Sequence, residues 1–200
     1  MAIHAIRIMS ADDYRQLRAQ DALVIDLRRP LDYVGGHLEG ALCRPGIRLV
    51  LRQQLTGLGP DRPLVLIAQG PVDVDPMIQE AQAVGASVAG ILTGAPKGWQ
   101  ARGLPVLGWT TMDTEQYTRL AAPPLVVDIR EGAEAADPHW PSAHRVPFST
   151  WTADLVAEMA AIPVVLLGPT ARIVTAAVAL YEAGAQTVYC GQATKSKTVV

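Results

Sequence analysis

Two apolar runs set the pattern of the chain. Pro63-Leu64-Val65-Leu66-Ile67-Ala68 stops at Gln69-Gly70, and Pro163-Val164-Val165-Leu166-Leu167 stops at Gly168-Pro169. Each reads as a buried parallel strand that ends in turn-forming residues and feeds a helix-compatible segment. α/β proteins place binding and chemistry at such junctions, because loop amides and a helix N-terminus converge on one spot. Around these runs the pattern predicts further elements. Ser10 caps a short amphipathic helix with Asp12 and Asp13 in its first turn, where the helix dipole favours negative charge. Ala22 to Arg28 is a buried strand carrying Asp26 and Arg28 at its C-terminal end, and Gly35 to Leu42 is a glycine-punctuated loop entering another short strand. Residues 47–57 and 76–84 read as helices, the second with Pro76 in its first turn and Gly85 as its stop. Ser87 to Leu92 is a strand, Ile173 to Ala183 a helix, and Val188-Tyr189-Cys190-Gly191 ends one more parallel strand.

The pattern occurs twice. Met112-Asp113-Thr114-Glu115-Gln116-Tyr117 echoes Met9-Ser10-Ala11-Asp12-Asp13-Tyr14, and Val126-Val127-Asp128-Ile129-Arg130 echoes Val24-Ile25-Asp26-Leu27-Arg28. Asp128, His139, Ala143 and Pro147 each follow Asp26, His37, Ala41 and Pro45 by 102 positions, and Gly184 follows Gly85 by 99. Polar and proline residues share the spacing with apolar ones, so the repeat reflects a duplicated βαβ-type domain. Gly103-Leu104-Pro105-Val106-Leu107-Gly108 reads as the exit from the first copy, which gives expected domains at 1–108 and 109–200. The copies differ at Ala136-Asp137-Pro138, which replaces Val34-Gly35-Gly36, and the second has no counterpart of Trp99. Its last few residues are expected to fray.

Composition narrows the function. Half of the 200 residues are hydrophobic and 18% are charged, enough for a substantial core. A net charge of −2 supplies no basic field for nucleic acid or an anionic membrane. No run approaches the roughly 18 apolar residues of a membrane span, and the first residues contain no signal-like stretch; the expectation is a cytoplasmic protein. The four His and two distant Cys offer no metal-ligand spacing, so neither a metal nor another cofactor is expected.

The ordered motifs resemble the rhodanese family in tandem. The first copy reads Asp26-Leu27-Arg28-Arg29-Pro30-Leu31-Asp32-Tyr33, then Gly36-His37-Leu38-Glu39-Gly40-Ala41, then Leu92-Thr93-Gly94-Ala95 with Trp99, then Gly103-Leu104-Pro105-Val106. The second keeps Asp128-Ile129-Arg130-Glu131, Glu134 opposite Asp32, and His139-Trp140-Pro141-Ser142-Ala143. The resemblance implies α/β architecture, two rhodanese-like domains each with a central mainly parallel sheet flanked by helices. In active members a Cys thiolate in the strand-to-helix loop takes sulfur from thiosulfate or 3-mercaptopyruvate and carries it as a persulfide, its pKa lowered by loop amides and the helix dipole.

The corresponding positions here are Ala68 and Gly168, neither a nucleophile. Asp73 also stands where active members commonly carry Arg, which disfavours an anion in the first loop. In the second, Gly168, Thr170, Ala171 and Arg172 form a candidate anion pocket, with Pro169 removing one amide donor. Asp26 with Arg28, and Asp128 with Arg130, read as structural pairs at sheet ends, with substrate orientation the alternative. His37 and His139 read as backbone-bonding residues and Trp99 as a core or lid residue. Cys190, and beside Arg44 Cys43, are expected to stay out of disulfides and are the candidates for a relocated nucleophile. The expectation is therefore a catalytically silent module that binds a protein partner, a second copy of the chain or a small anion. The alternative is an atypical sulfurtransferase working through Cys190 or Cys43.

Overall fold

The computed structural model describes residues 7–45, 62–69, 74–132, 134 and 137–192. The expected helix over 47–57, the first loop from Gly70 to Asp73 and the expected frayed tail from Ala193 lie outside them. The chain divides into two compact units, Met1–Val106 and Leu107–Val200.

In unit 1, α1 (Ala11–Ala19) starts at a capping box. Ser10 Oγ accepts from the Asp13 amide at 3.1 Å, and Asp13 Oδ2 accepts from the Ser10 amide at 3.0 Å. Then follow β1 (Leu23–Asp26), α2 (Pro30–Gly35), β2 (His37–Leu38), β3 (Leu42–Cys43), β4 (Pro63–Ala68), α3 (Asp75–Ala83), β5 (Ser87–Thr93), α4 (Pro96–Ala101) and β6 (Val106–Leu107). The main sheet has the order β3-β1-β4-β5, with its neighbouring strands parallel, and Ile8 bridges to Ile91 on the far side of β5. Val24, Ile25 and Leu64 to Ala68 are buried, as the unbroken apolar runs require of strands covered on both faces. Val88 pairs with Leu64 but Gly90 pairs with Val65, so β5 skips a residue there. The exit stretch is itself structured: β6 pairs with β2, and Glu39 N–H donates to Pro105 O at 3.1 Å.

Unit 2 contains β7 (Thr110–Asp113), α5 (Thr114–Thr118), β8 (Leu125–Asp128), β9 (His144–Arg145), a 3-10 turn at Phe148–Thr150, α6 (Ala153–Ala160), β10 (Val164–Leu167), α7 (Thr170–Glu182) and β11 (Val188–Gln192). Its parallel sheet has the order β7-β11-β10-β8-β9, so β9, β8, β10 and β11 stand in the sequence that β3, β1, β4 and β5 hold in unit 1. Asp113 and Gln116 rebuild the capping box of α1 at the start of α5. α7 buries Ile173, Val174, Ala176, Ala177, Leu180 and Tyr181, the three-and-four spacing of a helix lying on a sheet. Gly85 and Gly184, with φ of +79° and +99°, follow the last residues of α3 and α7, the left-handed stop the sequence predicts. No helix among the described residues is long and apolar enough to cross a membrane.

Candidate functional site

At the C-terminal edge of the first sheet the charged groups are closed into the core. Asp26 is 0% exposed and Arg28 6%. Arg28 Nε donates to Asp26 Oδ1 and Oδ2 at 2.9 and 3.1 Å, and Nη2 donates to Oδ2 at 2.6 Å and to Gly36 O at 2.8 Å. Its guanidinium lies over the Trp99 ring, 4.7 Å from the centroid. Trp99 is fully buried and donates Nε1–H to Thr93 O at 3.1 Å. The pair therefore ties β1 to the segment before β2 and to α4, and a charge this well enclosed persists only because its partner is fixed.

His37 belongs to the same construction. Its ring stacks on Tyr33 at 3.8 Å between centroids, and Nδ1 donates to Tyr33 O at 2.9 Å. Burial pushes the imidazole down to about 4, against the bond to Tyr33 O and helped by the charge of Arg28. A neutral imidazole with its proton on Nδ1 anchors the end of α2, as the backbone-bonding reading expects. Ala68 closes β4, paired with Thr93, and its methyl is 2% exposed. Asp73 falls outside the described residues.

The second sheet's edge is built differently. Arg130 reaches Asp128 at 3.3 Å, but its Nη2 also donates to Asp137 Oδ2 at 3.0 Å, and its side chain stays 20% exposed. Where Arg28 in unit 1 meets the Trp99 ring, Arg130 in unit 2 thus meets a second carboxylate. His139 does not repeat His37: it is exposed, and its backbone N–H donates to Asp137 Oδ1. The next residue, Trp140, is the buried one, packed edge-on against Tyr117 at 5.3 Å.

Gly168 has φ +152°, in the region that favours glycine, and a Cβ there would stand 3.0 Å from Ile129 Cγ1. The junction of β10 and α7 is thus shaped for a residue without a side chain. Thr170 and Ala171 are exposed in the first turn of α7. Arg172, the cation of the candidate anion pocket, is paired within the protein: Nη1 donates to Glu134 Oε2 at 2.7 Å, and Nε lies 3.9 Å from Glu131 Oε1. The Glu131 amide donates to the same Glu134 oxygen at 2.5 Å, and these two donors hold the Glu134 carboxyl below the usual carboxylate range. Glu131 in turn accepts from Ser149 N and Oγ at 3.1 and 2.7 Å, while Arg145 Nη2 donates to the carbonyls of Glu131 and Glu134. Two of the protein's own carboxylates therefore already face the cation.

With this geometry in place, the family comparison decides the first unit: residues 10–102 match the model of the rhodanese-like domain. The chain contains a rhodanese-like domain. Among solved structures, the chain is similar to the thiosulfate sulfurtransferase from Pseudomonas aeruginosa at 17% identity and a TM-score of 0.40, over 94% of this chain and 43% of that one. It therefore spans less than half of that protein's length. No curated protein matches the chain by sequence.

Within the rhodanese-like domain Cys43 is buried on β3, level with Asp26 on β1. In unit 2, Cys190 lies on β11, which runs on to Gln192; it is paired with Leu166 and Thr111, level with a residue two positions before Gly168. Burial pushes its thiol up, away from the reactive thiolate. Among the described residues, no three or more His, Cys, Asp or Glu gather as a metal site. The sequence reading missed the Glu131–Glu134–Arg172 cluster. Its available signal was the acid at Glu134 near the divergent stretch, a loop position facing a helix-start cation once the repeat is aligned.

Proposed function

We propose that both units are rhodanese-like and that the chain is a sulfurtransferase homologue without sulfur transfer, serving as a binding or regulatory module. Its link to sulfur metabolism would run through a protein partner that supplies the missing thiol. The observation that carries this reading is the pair of positions at which the family's thiol is expected: a buried methyl at Ala68 and a bare backbone at Gly168 with positive φ. A persulfide needs a sulfur nucleophile, and neither position offers one. The pairing of Arg172 with Glu134 supports the same view, because an anionic sulfur donor would have to share the guanidinium with a carboxylate of the protein. The raised Cys190 thiol argues against a relocated nucleophile.

The test is thiocyanate formation from thiosulfate and cyanide by the purified full chain, with Cys190→Ser and Cys43→Ser alongside. All three are expected at the uncatalysed rate. Turnover by the wild type that disappears in one serine variant would replace silence with a relocated thiol at that position.

A further inference from the structure

We draw no further inference here: the strongest candidate, the largely apolar groove of about 480 Å³ lined by Tyr117, Pro123, Pro124, His144, Ile162 and Pro163 at the N-terminal edge of the second sheet, carries nothing because nothing in the structure shows what covers it.

Discussion

Acidification from pH 7 to pH 5 will cost the rhodanese-like unit about 2 kcal/mol of stability through His37 alone, given a folded pKa of about 4. The unfolded chain takes a proton on this imidazole near the ordinary value of 6.5, whereas the folded protein resists protonation until about 4. Between those values the unfolded state holds more protons, so stability falls as pH falls, by up to about 1.4 kcal/mol per pH unit. The full loss is about 3 kcal/mol and is complete below pH 4. The cause is local: the ring is 1% exposed, sandwiched against Tyr33, and shares its surroundings with the Arg28 charge. Two measurements check it. The His37 imidazole resonance should titrate with a midpoint near 4 in the folded protein. Urea unfolding read by hydrogen exchange in peptides covering β1 and β4, which isolates unit 1, should show a steep loss between pH 7 and 5. In His37→Gln, which cannot titrate, that slope should be shallower by about 2 kcal/mol over the same interval, whatever its stability at pH 7. Equal slopes in the two proteins, or a midpoint near 6.5, would refute the reasoning.

Arg28→Ala strands Asp26 in the core and should lower unit 1's stability by about 3–5 kcal/mol, while Arg130→Ala, which leaves the buried Asp128 but removes a longer pair with a partly exposed cation, should lower that of unit 2 by about 2 kcal/mol; urea midpoints of the two units measure both. Similar losses would show that the two pairs are equivalent after all. Gly168→Ala should destabilise unit 2 by about 1–3 kcal/mol, because the added methyl meets Ile129 and an unfavourable φ together; a thermal midpoint unchanged from wild type would contradict the geometry. Cys190 should react with a disulfide reagent at pH 8 more slowly in the folded protein than in urea, and equal rates would mean that the thiol is neither raised nor shielded.

The strands were legible because burial on both faces leaves an unmistakable apolar run. Pro63–Ala68 and Val164–Leu167 lie where the pattern places them, and the N-cap of α1 and the glycine stop after α3 carry their own local chemistry. The pairing of Asp26 with Arg28 was also readable, since residues two apart on an extended chain lie on one side, although β1 ends at Asp26 and Arg28 closes onto it from the bend beyond the strand. What escaped was set by tertiary register. Whether Cys190 sits at an edge or inside a sheet depends on where β11 ends, and its apolar pattern fades before the strand does. Arg172 meets Glu134 across 38 positions, a distance over which no periodicity speaks. His139 occupies the place of His37 by count, yet Trp140 claims the buried volume, and bulk decided against polarity there.

The pairing of β6 with β2 bears on how the first unit must be cut for separate study. The stretch that matches the family stops at residue 102, whereas Val106–Leu107 lies against His37–Leu38 and Ile8 lies against Ile91. Both flanks are thus stitched onto the interior by contacts far apart along the chain, and their closure entropy is recovered only when the rest has folded. A fragment trimmed to the family boundaries would present two unpaired sheet margins, each a template for association with another chain. The paired structure runs past the family match at both ends.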